Sequence, residues 1–328
     1  MAQETTLLVT TVKNEGPNIL EWVAYHRLCG FDNIQVYYND TTDLMERSLR
    51  TMDRLGLIEQ RPNFNPTGAH QILAYRRATQ SETYKNSDWC MVLDGDEFLN
   101  VKIGNRQVSD LINACPETDA ILVNWKRFGS NNLRNFGNDL VIERFTRAEK
   151  DALISEGEFA AYKPIYRTNA FTRPGIHLPK FPLIESPRIC NGSGLMDGEF
   201  RRKNWRGADP LGRKFAQVNH YIVRDMKSFL LKNARGSANA PMRKVGARYW
   251  EVHNRNEEED LELANRSDEV WQEMRRIDEM ADGRLMHLRT KSLRMWRKHF
   301  EDLRDNVDLQ ALRKTIDPEL ETSGQTVT

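Results

Sequence analysis

Apolar runs and helically spaced stripes alternate along the first 125 residues. Leu7–Val12 (LLVTTV) is β-branched and apolar throughout, as a strand covered on both faces would be. Leu20, Val23, Ala24 and Leu28 then share one helical face, and Gly30 supplies a stop. Ile34, Val36 and Tyr38 alternate in a second strand. Asp43 and Glu46 have capping-box spacing at the start of a stripe formed by Met45, Leu49 and Met52. Leu57–Gln60 reads as a short strand and His70–Asn86 as a helix. Trp89–Leu93 (WCMVL) and Ala120–Trp125 are further apolar strands. This rhythm predicts right-handed βαβ units and a mostly parallel sheet, hence an α/β fold.

Between Phe136 and Tyr221 the periodicity weakens. Pro164, Pro174, Pro179, Pro182 and Pro187 break up this stretch, which predicts loops laid over a sheet edge to shape a pocket. A strand is expected over Gln217–Val223. Further on, Leu285, Leu288, Leu293, Trp296, Phe300 and Leu303 mark an amphipathic helical tail. The expected division is therefore 1–250 for the α/β domain and 251–328 for a helical extension. Lys291, Arg294, Arg297 and Lys298 flank the tail's apolar stripe. One reading lays that helix against anionic lipid as a peripheral membrane contact. The favoured one packs it on the rest of the chain or on a second subunit, because Glu301, Asp302 and Asp305 dilute its basic face.

In an open α/β sheet, ligands bind beyond the carboxyl ends of the strands. Three polar clusters fall there: Lys13-Asn14-Glu15, Asn39-Asp40 and Asp94-Gly95-Asp96-Glu97. Two carboxylates one glycine apart, fixed by a buried strand, suit a hard divalent cation and the diphosphate it bridges. A calcium-binding loop is excluded by Phe98 and Leu99, where further oxygen ligands and glycine are needed. A phosphatase of the haloacid dehalogenase type lacks its late acid-tipped strand here. No phosphate-cradling glycine loop is present.

Composition narrows the classes further. In 328 residues, 48 basic and 47 acidic side chains leave a net charge of +1, so no global electrostatic case exists for nucleic-acid binding. No window approaches the roughly 18 apolar residues of a membrane span, and the N-terminus lacks the features of a secretory signal. Cys29, Cys90, Cys115 and Cys190 are widely spaced, without zinc-ligand pattern; reduced thiols and a cytoplasmic location are expected.

The ordered series Val12-Lys13-Asn14-Glu15, Glu21-Trp22, Tyr25-His26, Gly30, Tyr38-Asn39-Asp40, Asp43 and Leu93–Phe98 resembles bacterial glycosyltransferase family 2-like proteins related to glycosyltransferase family 92. Trp125-Lys126-Arg127-Phe128-Gly129, Lys163-Pro164-Ile165, His177, His220-Tyr221 and Lys232 to Arg235-Gly236 continue the match. The resemblance implies a GT-A fold, a nucleotide-sugar donor and a divalent cofactor, Mn²⁺ or Mg²⁺. It implies that Thr10, Val12, Asn14 and Glu15 line the base and ribose pocket, with Asn39 and Asp40 on the uracil or its ribose. Asp94 would face the ribose or sugar, and Asp94, Asp96 and His220 would hold the metal. Lys232 and Arg235 would neutralise the leaving diphosphate. Trp125, Phe128, Gly129, Lys163 and His177 would bind substrate. Where family 2 commonly has D-D-G-S-T-D, this chain has Asn39-Asp40-Thr41-Thr42-Asp43, which leaves the nucleobase open.

An inverting transfer needs a carboxylate to take the acceptor hydroxyl's proton. Glu143 is the first candidate and Glu185 the second, with Asp151, Glu158, Asp197 and Glu199 behind them. The expected activity is metal-dependent transfer from a nucleotide-sugar, expected to be a UDP-sugar, to a glycan or lipid-linked acceptor in surface polysaccharide synthesis. The alternatives are a non-catalytic nucleotide-sugar or carbohydrate binder on the same fold and a sugar-phosphate nucleotidyltransferase.

Overall fold

The structure, a computed structural model, describes residues 4–64, 69–151, 161–203, 206–208, 212–235 and 245–317. β1 (Thr6–Val12), β2 (Asn33–Tyr38), β3 (Glu59–Pro62) and β4 (Trp89–Val92) pair in parallel in the spatial order β3-β2-β1-β4. They alternate with α1 (Ile19–Leu28), α2 (Met45–Arg54) and α3 (His70–Ala78). Leu7, Leu8, Val9 and Cys90–Val92 have no solvent exposure, which explains why their sequences run apolar instead of alternating.

The sheet continues with β5 (Glu97–Val101), β6 (Ala120–Arg127), β7 (Tyr162–Arg167), β8 (Ile189–Asn191) and β9 (Ala216–His220). Beyond β4 the order is β7-β6-β9-β5, and β8 pairs with the first half of β6. β7 runs antiparallel to β4 and β6, and β5 antiparallel to β9; the other pairs are parallel. This helix-flanked, mostly parallel sheet meets the GT-A expectation.

Three strands, β5, β7 and β8, have no counterpart in the sequence reading. β7 contains Pro164, which cannot donate to a ladder. Its pairing with β4 stops at Ile165, and Pro164 pairs only with Leu122 of β6, so the missing N–H leaves no gap in a two-sided ladder. β5 follows the Asp94–Glu97 turn at once. Among the described residues its outer edge has no strand neighbour; α1 covers it with side chains instead. The Trp22 indole donates to Glu97 O (2.9 Å), the Tyr25 hydroxyl donates to Leu99 O (2.6 Å), and Leu99 N donates to His26 Nε2 (3.4 Å). Complete burial keeps His26 neutral, its pKa lowered to about 3. Smaller differences are that β3 lies two residues later than expected and that the His70–Asn86 helix splits after Ala78, with Ser81 capping a separate turn.

The remaining helices include α4 (Val108–Ala114), α5 (Val141–Arg144), α6 (Met226–Arg235), α7 (Ser267–Met280), α8 (Arg284–Asp302) and α9 (Val307–Ile316). Val270, Met274, Ile277 and Leu285 share one hydrophobic cluster with Trp22, Met45 and Leu93, so α7 and the start of α8 belong to the main core. The apolar stripe of α8 points inward, with Leu285, Leu288 and Leu293 buried. That is the packed arrangement favoured from the sequence. Among the described residues no helix is long and apolar enough to cross a membrane.

Glu21 of α1 is completely buried and accepts from Val141 N (2.9 Å) and Ile142 N (3.2 Å), tying α1 to the start of α5. Burial pushes its carboxyl up from 4.5 to about 7, against the pull of those two amides and Arg289. The native state therefore holds a proton that the unfolded chain releases at lower pH. Its stabilising contribution is full below pH 4.5 and fades as pH rises to about 7, a loss on the order of 3 kcal/mol. Thermal melts between pH 4.5 and 8 should show stability falling across that window, with the fall clearly shallower in Glu21→Gln.

Candidate active site

The carboxyl ends of β1, β2 and β4 are neighbours, so the three polar loops leaving them converge. Asn14, in left-handed backbone at φ 54°, joins the first two: its Nδ2 donates to Thr42 Oγ1 (3.0 Å) and its Oδ1 accepts from Thr42 N (2.7 Å). Asp43 accepts from Gly16 N (2.8 Å) and Met45 N (3.0 Å), so it both opens α2 and pins the β1 loop. In the third loop, a Cβ on Gly95 would stand 2.8 Å from Val12 Cγ1, which explains the glycine between the two aspartates.

Lys163, on β7 and fully buried, lies 3.0 Å from both Asp94 Oδ2 and Glu97 Oε2. Burial alone would discharge the ammonium; Asp94 and Glu97 outweigh it and hold the lysine well above its usual range. Gln71 of α3 donates to the other oxygen, Asp94 Oδ1 (2.6 Å), and to the Tyr75 hydroxyl (2.9 Å). Asp94 N donates to Glu97 Oε2 (2.8 Å), closing the turn.

Asp96 faces the other way. The β9–β5 register sets His220 opposite Glu97 and brings His220 Nε2 to 3.4 Å from Asp96 Oδ1. Lys232 Nζ of α6 lies 3.1 Å from Asp96 Oδ2. Arg224, also in left-handed backbone, donates to Glu15 Oε2 (2.7 Å) and Gly95 O (3.3 Å). Burial would raise the Asp96 carboxyl, but Lys232, His220 and Arg224 together hold it well below the usual carboxylate range.

Asp96 opens onto a cavity of about 730 Å³. Lys13, Asn14, Glu15 and Asp40 line it from the strand ends, Arg224 and Lys232 from the far side, and Met295, Trp296 and His299 from α8. A second cavity of about 480 Å³ is bounded by Tyr75, Arg173, His177 and Lys180 among others. Trp125 stands between the two regions, its ring 4.4 Å from that of His220 and 5.2 Å from that of His177. Burial and Lys163 lower His177 to about 4.

Not every expected site residue meets at these cavities. Thr10 and Val12 are buried strand residues and Asn39 is buried; none lines the large cavity. Asp94 does not line it either, because Lys163 and Gln71 hold its two oxygens. Phe128 is core, packed on Tyr221 at 4.8 Å between rings, and Gly129 is required by the Arg255 carbonyl, 2.3 Å from any Cβ. Lys163 has no exposed surface and so supports the loop instead of touching substrate. Glu143 accepts from Leu140 N (2.9 Å) and the Trp271 indole (3.1 Å), and Glu185 is exposed on the segment after Pro182; neither reaches the large cavity. The side chain of Arg235, and Glu158 and Gly236 as a whole, lie outside the described residues. Asp151 pairs with Arg213, which also donates to Trp125 O. Gln71 and Arg224 were not singled out from the sequence, and Trp296 was read only as part of the tail's apolar stripe; their place in the fold brings them to the site.

Residues 11–184 match glycosyltransferase family 92. No curated protein matches this chain. Among solved structures it is similar to S. aureus TarS 1–349 in complex with UDP, at 16% identity over 51% of this chain and 47% of that one, with a TM-score of 0.32. The chain thus spans about half the length of that relative. A second structure of S. aureus TarS 1–349 aligns over 99% of this chain and 93% of that one, at 13% identity and a TM-score of 0.37. HddC from Yersinia pseudotuberculosis aligns over 56% and 90%, at 10% identity and a TM-score of 0.32.

The buried cation gives a direct test. Lys163→Met leaves Asp94 and Glu97 without their counter-charge and should cost about 3–5 kcal/mol in denaturant unfolding. Adding Glu97→Gln to Lys163→Met should recover part of that loss. A single variant as stable as the wild type would show that the pair carries no such weight.

Proposed function

The chain belongs to glycosyltransferase family 92, and from that premise we propose a metal-dependent enzyme that moves a sugar, with inversion, from a nucleotide-sugar to a glycan or lipid-linked acceptor. Membership sets aside the nucleotidyltransferase and the non-catalytic binder. The observation that carries the proposal is Asp96, a strongly acidic carboxyl at the wall of a nucleotide-sized cavity, surrounded by Lys232, His220 and Arg224.

Among the described residues, no group of three or more His, Cys, Asp or Glu side chains encloses a metal. Asp96 and His220 would supply two ligands, and Mg²⁺ or Mn²⁺ ordinarily takes one or two protein ligands and completes its shell with phosphate and water. Behind them, His220 Nδ1 and Glu97 Oε1 are buried, 3.6 Å apart and otherwise unpartnered. A Glu97–His220 contact would leave Nε2 free for the ion, the carboxylate–histidine arrangement of metal sites. Bound there, the metal would supply Lewis-acid stabilisation of the departing diphosphate.

The chain's own cations serve the same end. Lys232 and Arg224 would stabilise negative charge as the bond between the anomeric carbon and the diphosphate oxygen breaks. The acceptor hydroxyl forms the new bond to that carbon as its proton passes to a carboxylate. Asp151, linked through Arg213 to Trp125, is a further candidate for that carboxylate, and like Glu143 and Glu185 it stands outside the lining of the large cavity. The second cavity, beyond Trp125, is the acceptor side on this reading.

Donor-hydrolysis assays with UDP- and GDP-sugars in Mn²⁺ should give turnover that chelation by EDTA abolishes and that Asp96→Asn reduces by about 100-fold or more. Full activity in Asp96→Asn would sink the assignment. Glu143→Gln should melt at a lower temperature yet keep turnover close to wild type, as expected of a residue that fastens α5 to α7.

A further inference from the structure

The large cavity is only partly built by the family segment. That segment ends at residue 184, whereas Met295, Trp296, His299 and Asp302 of α8 close one side. The contacts along the cavity wall run in a definite sequence. Lys232 holds Asp96; Arg224 links the neighbouring Gly95 carbonyl to Glu15; the next residue, Gly16, donates to Asp43; and Asp43 accepts from the Trp296 indole at 3.4 Å. Cations gather at the Asp96 end. At the other end Asp43 holds the indole, and Asp302 stands on the same helix along with Lys298 and His299.

A nucleoside diphosphate has the same polarity. Its phosphates belong with Lys232, Arg224 and the metal ligands, so its nucleoside must extend toward Trp296. There it meets a half-buried indole whose N–H is held by Asp43 and whose ring lies 5.8 Å from that of Phe136, centre to centre and tilted 59° to it. It also meets the Asp40 and Asp302 carboxylates, acceptors for base N–H and ribose hydroxyl groups. A planar base needs a π-face to stack on and a few placed acceptors to fix its orientation.

We propose that Trp296 is the platform on which the donor's nucleobase stacks, so that α8 governs how tightly the nucleotide is held. The proposal rests on the nucleotide-sugar reading above and adds a binding residue that lies outside the family segment.

Calorimetric titration of the full chain with UDP and with GDP, in Mn²⁺, tests it together with indole fluorescence. For the nucleotide that wild type binds, Trp296→Ala should weaken binding about tenfold or more. It should raise the donor KM by a similar factor while kcat at saturating donor stays close to wild type. Trp296→Phe keeps an aromatic face and should bind within about threefold of wild type. It should nonetheless lose the nucleotide-induced quenching of indole emission. Should Trp296→Ala fold poorly, the quenching difference in Trp296→Phe decides alone. Wild-type affinity in Trp296→Ala, or undiminished quenching in Trp296→Phe, overturns the platform while leaving the Asp96 assignment standing. Failure of wild type to bind either nucleotide overturns both.

Discussion

A lysine ammonium without solvent exposure lies midway between two carboxylates, Asp94 and Glu97, at 3.0 Å from each. An isolated charge in that position would be prohibitively costly, and so would either carboxylate without the ammonium. The three groups therefore have to be buried together, and this constrains everything around them. Lys163 must come from a strand wedged between β4 and β6. The turn from β4 into β5 must present two acidic side chains to one side and Asp96 to the other. The glycine inside that turn has to lie against Val12. Asp96 is thereby left facing the cavity with its own cations, separated from the structural pair by the backbone of the turn.

The second constraint is the edge of β5. An uncovered strand edge is a liability for most proteins. Here three side chains from consecutive turns of α1 take up its Glu97 and Leu99 groups. Their positions, 22, 25 and 26, follow helical spacing, so all three reach the strand from one face. This gives physical content to the Trp22 and Tyr25-His26 elements of the family resemblance. They line neither of the two cavities described; they hold the strand that carries Glu97 and therefore set where Asp94 and Asp96 stand.

Much of the first half was legible because its strands are apolar on both faces and end in clusters of polar residues. The Asp94–Glu97 loop could be read as a site because a ligand-binding loop at a strand end has a signature in the chain itself. Strand β7 was not legible: Pro164 is ordinarily a strand breaker, and its tolerance depends on where β4 happens to stop. The role of Lys163 was misplaced for a related reason, since a buried and an exposed lysine look alike in a sequence. Phe128 and Gly129 were likewise read as substrate contacts when their surroundings, Tyr221 and the Arg255 carbonyl, make them packing residues. Glu143 looked like a base by position, whereas its two oxygens are taken by Leu140 and Trp271. In α8 the periodicity showed the helix but could not show which way its stripe pointed.

The link between Asp43 and Trp296 joins residues 253 positions apart. The entropy of closing so long a loop rises only slowly with its length, and the burial of α8 residues in the main core offsets it. The sheet, the α1 clamp and the Lys163 cluster all draw on earlier parts of the chain. On the ribosome Asp94 and Asp96 emerge about 200 residues before Trp296, so the helix that closes one side of the cavity is made long after the loop it faces.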